Sequence, residues 1–121
     1  MISRPESPKH ILVVEDDPII SGAIQMVLQW EGYQVDCAGN GREALDQLRG
    51  SKAKPDLILL DVMMPVLDGV QFRRQQKGDP DLKDIPVLVV SGIDCPWLDA
   101  SGWLNKPFQP EQLLEAVRSR A

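Results

Sequence analysis

Short apolar runs punctuate the chain, and the residues between them follow a different period. Ile11-Leu12-Val13-Val14, Leu57-Ile58-Leu59-Leu60 and Ile85-Pro86-Val87-Leu88-Val89-Val90 are nearly unbroken, the pattern of strands covered on both faces. Tyr33 to Cys37 alternates as a second strand, and Gly102 to Asn105 forms a short fifth one. Asp17-Pro18 supplies a cap residue and a proline at the first helical position. Ile20, Ala23, Ile24, Val27 and Leu28 then recur at helical spacing until Gly32. Asn40-Gly41 opens a second helix through Ala44, Leu45 and Leu48, ending at Gly50. Asp68-Gly69 leads into a third around Val70 to Gln76, which fails at Gly78-Asp79-Pro80. Pro110 begins the last, with Leu113, Leu114 and Val117 on one face. Strands and helices in strict alternation, five βα units in all, predict a parallel sheet with helices on both faces. The connection between the fourth and fifth strands is the exception: Ile93 to Ser101 holds Pro96 and allows barely one helical turn.

This pattern gives the polar residues at the strand ends a common address. Glu15 and Asp16 follow the first strand, Asp61 closes the third, Ser91 follows the fourth and Lys106 the fifth. In a parallel sheet those C-terminal ends form one rim, the usual place for ligands and chemistry. Three carboxylates gathered there raise one another's pKa unless a cation sits among them. Oxygen ligands with open positions suit Mg²⁺. A carboxylate beside that ion is a nucleophile toward phosphorus, Ser91 would hydrogen-bond one phosphoryl oxygen, and Lys106 would neutralise another. Taken singly, each residue has a plainer reading: Asp17 as a helix cap, Ser91-Gly92 as a turn, Lys106-Pro107 as solvated loop. Their occurrence together, in order, at one edge is what favours phosphoryl transfer.

Composition narrows the class without changing it. With 121 residues, 43% hydrophobic and 26% charged, the chain is expected to be a single soluble globular domain with a proper core. A net charge of −5 argues against a nucleic-acid partner. No run reaches the roughly 18 apolar residues of a membrane span. Residues 1–9 read as a flexible leader, and residues 10–121 as the folded domain. Cys37 and Cys95 make neither a disulfide framework nor a CxxC site, so they read as small packing residues in a cytoplasmic protein. His10 reads as a solvated residue.

The combined signature resembles the receiver domains of two-component response regulators over nearly the whole chain. The matching pieces are Ile11 to Pro18, Leu57 to Pro65 with Asp68-Gly69, Ile85-Pro86-Val87 leading to Ser91, and Asn105-Lys106-Pro107-Phe108. The resemblance implies a flavodoxin-like, doubly wound five-stranded parallel sheet of order 2-1-3-4-5. It implies Asp61 as phosphoacceptor, Asp16 and Glu15 as Mg²⁺ ligands with the Met63 carbonyl, Ser91 as the switch hydroxyl, Lys106 as the invariant lysine, and Trp103 at the switch aromatic. The implied partners are a histidine kinase or histidine phosphotransfer protein and a downstream protein target. Such a chain catalyses its own phosphorylation and dephosphorylation and turns over no external substrate.

Two departures stand out. Only fifteen positions separate Ser91 from Lys106, so the family's fourth helix is expected to be shortened or absent, and with it the usual dimer face. A monomer or weak dimer is expected, and Trp103 reads either as a switch or as a core tryptophan that never moves. Met63 and Ile93, two past Asp61 and Ser91, are apolar, so neither orients an attacking water and a long-lived acyl phosphate is expected. Three other readings compete. Gly39-Asn40-Gly41-Arg42-Glu43-Ala44 fits a loose dinucleotide fingerprint. An aspartyl-intermediate phosphatase would want a second acid where Met63 stands. A receiver-like scaffold would bind partners without being phosphorylated.

Overall fold

The computed structural model describes residues 9–51, 53–62, 68–92, 98 and 100–120. The elements are β1 His10–Val14, α1 Pro18–Trp30, β2 Gln34–Ala38, α2 Gly41–Gly50, β3 Leu57–Asp61, α3 Gly69–Lys77, β4 Val87–Ser91, β5 Gly102–Asn105 and α4 Pro110–Arg118. The five strands form one parallel sheet in the order β2-β1-β3-β4-β5.

Strand parity divides the core. Ile11, Val13, Leu57, Leu59, Leu88 and Val90 pack with Ile24 and Leu28 of α1 and with Leu113 and Val117 of α4. Leu12, Val14, Ile58, Leu60, Val87 and Val89 pack with Leu45 and Leu48 of α2 and Phe72 of α3. Successive side chains of a strand point to opposite faces, so an unbroken apolar run is what a sheet covered on both sides requires. All five residues of β3 and of β4 are buried. Asp61 and Ser91 therefore close strands that solvent does not reach.

Strand bounds shift from the sequence expectation for identifiable reasons. Tyr33 stays outside β2 because its N–H closes α1 on the Leu28 carbonyl, 3.1 Å away, after Gly32 takes a positive φ of 98°. Ile85 stays outside β4 because its N–H turns back to Leu82, and Pro86 has no N–H to give the sheet. Ser91, expected just after the strand, is its last residue.

Among the described residues four helices are seen, none of them between β4 and β5. Ser101 returns to the sheet through an N–H to the Val87 carbonyl at 2.8 Å. Gln76, fully buried, ties the α3–β4 connection by donating to the Leu82 and Ile85 carbonyls at 2.9 and 3.0 Å. No helix among the described residues is long and apolar enough to cross a membrane.

Candidate functional site

Register alone brings the acids together. Val14 pairs with Leu60, so the next residues, Glu15 and Asp61, come level at the ends of neighbouring strands. Asp61 pairs with Val90, and Ser91 with Asn105, which places Ser91 and Lys106 on the same rim. The two that lie beyond their strands are pinned by ladder bonds: Glu15 N–H to the Ala38 carbonyl at 3.0 Å, and Lys106 N–H to the Ser91 carbonyl at 2.8 Å. Glu15, Asp61 and Ser91 are buried, while Asp16 is exposed. One carboxylate oxygen from each of Glu15, Asp16 and Asp61 lies within 4.8 Å of the others. The Lys106 ammonium donates to the Glu15 carboxylate and stands 3.5 Å from Asp61 Oδ2.

The charges do not balance. Two ionised carboxylates at 4.8 Å repel by about 3 kcal/mol at an effective dielectric near 20, several times thermal energy. Lys106 supplies one positive charge against three acids. Burial pushes the Glu15 carboxyl above its ordinary value of 4.5, and its hydrogen bond and charge interaction with Asp61 push the same way; Lys106 opposes both. Burial acts to lower the Lys106 value, but its bonds and charge interactions with Glu15 and Asp61 prevail and leave it above 10.5. A divalent cation bound by oxygen ligands answers this imbalance, and the donor set present fits Mg²⁺.

The Glu15 shift has a definite sign in stability. From pH 4.5 up to its raised native value, the folded state holds a proton that the unfolded state has lost, so this group's contribution to stability falls as pH rises. Lys106 acts at the other end: its contribution is present below pH 10.5 and is lost as pH climbs through the raised native value. In the presence of chelator, Glu15→Gln is expected to gain on wild type as pH rises through the Glu15 window, then level off. Urea unfolding across a pH series measures the difference, and a difference that shrinks with pH would contradict it.

The local chain explains how these positions are held. Asp17 caps α1, its Oδ1 accepting from the Ile19 N–H at 2.9 Å, so the plain reading of that residue is right. Asp68 caps α3 in a reciprocal arrangement with Gln71. The sequence marks Gly69 as part of the turn into α3 and of the family signature, without its reason. A Cβ there would stand 2.6 Å from Val62 Cα and 2.9 Å from the Asp61 carbonyl, so α3 begins against the backbone that carries Asp61. Only a DG pair before a helix hinted at this, since the close approach is tertiary.

Trp103 is not a core tryptophan: it is 45% exposed, and its indole N–H donates to the Leu98 carbonyl at 3.1 Å. An inward turn would have to break that bond. His10 is not simply solvated either, because β1–β2 register sets its Nε2 2.6 Å from Asp36 Oδ2. The loose dinucleotide fingerprint has a structural cause, with Asn40 Oδ1 capping α2 through the Glu43 N–H at 2.9 Å. Cys37 is a free, partly buried thiol packed against the α1 side of the core. Met63 and Ile93, expected to bear on the metal and on water access, lie outside the described residues, as do Cys95 and residues 1–8.

Comparison with known proteins agrees with this geometry. The family model described as the response regulator receiver domain matches residues 11–118. Response regulator MprA of Mycolicibacterium vanbaalenii is 40% identical over 122 aligned positions, covering 93% of this chain and 50% of MprA. The chain thus spans about half the length of the curated relatives it matches. Chemotaxis protein CheY4 of Vibrio cholerae is 34% identical with a TM-score of 0.87, covering 95% of this chain and all of CheY4. Response regulator TrrA of Thermotoga maritima, solved in complex with Mg²⁺-BeF, is 30% identical with a TM-score of 0.82, covering 93% of this chain and 99% of TrrA.

Proposed function

The chain belongs to the response regulator receiver family, and from that premise we propose that it takes a phosphoryl group from a phosphohistidine onto Asp61, with Mg²⁺, and signals by conformation. The observation that carries this reading is the cluster of Glu15, Asp16 and Asp61 with Lys106 bonded into it. Glu15, Asp16, Asp61 and the main-chain carbonyl of Met63 would hold the ion, whose charge offsets the clustered acids and steadies the phosphoryl oxygens.

Asp61 supplies the nucleophile. Its carboxylate oxygen bonds to phosphorus as the bond from phosphorus to the donor imidazole nitrogen breaks; the imidazole keeps that electron pair, and an acyl phosphate remains on Asp61. Lys106 neutralises charge on the phosphoryl oxygens, and Ser91 donates its hydroxyl proton to one of them. The modification adds about −1.5 to −2 charge at the buried rim. Lys106 is then drawn from Glu15 toward the new oxygens, and Trp103, on the neighbouring strand, would respond by giving up its bond to the Leu98 carbonyl. That is local charge biasing a bistable element.

The donor is a histidine kinase or histidine phosphotransfer protein in the cytoplasm, and a downstream protein target reads the outcome. The chain catalyses its own modification and no external turnover. A small phosphoryl donor such as acetyl phosphate tests this. With Mg²⁺, the intact mass should rise by one phosphoryl group, and chelator should prevent it. No gain in either condition, together with no calorimetric Mg²⁺ binding, would replace this reading with the unphosphorylated scaffold.

A further inference from the structure

Helix α4 ends in a side chain that reaches across to the sheet. The Arg120 guanidinium donates through Nη1 to the Ala116 carbonyl at 2.9 Å and through Nε to the Ser101 carbonyl at 3.2 Å. The first acceptor lies in the last turn of α4, where carbonyls lack a partner within the helix and a cation is favoured. The second belongs to the residue that leads into β5. Gly102, buried at the start of β5, makes the bridge feasible, because a Cβ there would overlap Nε, Nη2 and Cζ of Arg120. The guanidinium thus occupies space that only a glycine leaves open. Two residues earlier, Arg118 reaches Glu31 at 3.0 Å, but that pair is solvent-exposed and contributes little.

We propose that this bridge is a conformational clasp through which phosphorylation of Asp61 loosens the end of α4; it rests on the phosphoacceptor reading of Asp61 given above. Ser101 stands between the two ends of the indole bond, three residues after Leu98 and two before Trp103. Its N–H is held by the Val87 carbonyl at 2.8 Å and its carbonyl by Arg120. Leu98 packs in the core on the α2–α3 side of the sheet, while α4 covers the other face. The clasp therefore carries a change from one face of the sheet to the other.

Distance decides which tie gives way. When Trp103 gives up the Leu98 carbonyl, the loop holding Ser101 opens at one end and its carbonyl is free to shift. The Arg120–Ser101 bond, at 3.2 Å, already sits at the long end of the N–H···O range of about 2.7–3.2 Å, so a small displacement breaks it. Arg120 cannot follow, since Nη1 is held by α4 and the guanidinium is backed by Gly102. Freed from the sheet, the side chain regains rotamer freedom and the Ala116 carbonyl loses a fixed partner, so the last turn frays. The Ser119 and Arg120 amides, bonded to the Glu115 and Val117 carbonyls at 3.2 and 3.0 Å, report on that turn.

Amide hydrogen exchange followed by NMR on the whole chain tests this in wild type, Arg120→Ala, Gly102→Ala and the double variant. With chelator, the Ser119 and Arg120-position amides should exchange at least about five-fold faster in each single variant than in wild type. The double variant should be no faster than either, because both changes remove one contact. With Mg²⁺ and beryllofluoride, the wild-type amides should quicken toward the variants, which should not change further. Exchange in β3, buried throughout, checks that none of this is global opening. Calorimetry reads beryllofluoride binding separately. A wild type that binds it without quickening at the end of α4 would overturn the clasp alone, and so would variants that match wild type in chelator. A wild type that binds none would overturn the Asp61 reading, and the switch with it.

Discussion

Asp61→Asn is expected to abolish phosphoryl labelling altogether, with Mg²⁺ and an acetyl phosphate donor present. A carboxamide oxygen is a far weaker nucleophile than a carboxylate, and the two groups have nearly the same shape, so chemistry is lost while the rim stays in place. The buried β3 supports that separation, since all five of its residues are packed and the change falls only at its tip. The substitution also removes one of the influences that raise the Glu15 pKa, so that carboxyl moves back toward its ordinary range while its burial remains. Intact mass with and without Mg²⁺ reads the first effect. Tryptophan emission during titration with Mg²⁺ and then beryllofluoride reads the pocket, with a saturable change in wild type that the variant lacks. Labelling that survives in the variant would place the acceptor elsewhere.

Lys106→Ala acts on the same cluster with the opposite emphasis. Its ammonium is bonded to the Glu15 carboxylate and stands 3.5 Å from Asp61, both of them buried. Removing one partner from a mostly buried pair leaves uncompensated charge and costs about 3 kcal/mol. Without metal, the variant should unfold at correspondingly lower denaturant. Saturating Mg²⁺ should recover part of the loss, because the ion replaces the missing positive charge, and Mg²⁺ affinity should rise for the same reason. Labelling should persist at a reduced level, since Asp61 is intact, while the coupling from phosphoryl group to surface is weakened. Urea unfolding with chelator and with Mg²⁺ separates the two states. Equal destabilisation in both would mean that the lysine does not share its role with the cation.

What could be read ahead of the structure was whatever depends on local pattern. The three continuous runs had to be strands covered on both faces, and the residues following them had to reach one rim, so Glu15, Asp16, Asp61 and Ser91 could be placed there, with Lys106 joining them after the short fifth strand. Asp17 as a cap follows from its neighbours alone. The rest depends on contacts between distant segments. His10 meets Asp36 only because β1 and β2 pair in one register, and no local signal marks such a pair. The role of Gly69 is set by backbone from the end of β3. Trp103 read as a switch from its place three residues before Lys106, or else as a core residue, yet β5 is an edge strand with only Gly102 buried. Pro86 looked like part of a strand because its neighbours are apolar, although it has no N–H to give the ladder.

The contact between Gly69 and Val62 has a consequence for how such a site diversifies. The Gly69 N–H bonds to the Val62 carbonyl at 3.0 Å, so the end of β3 and the start of α3 are tied to each other directly. Changes of sequence between those two points are therefore expected to leave both the strand that carries Asp61 and the first turn of α3 where they are. The position of that carboxylate and the sequence that follows it are thereby free to change separately.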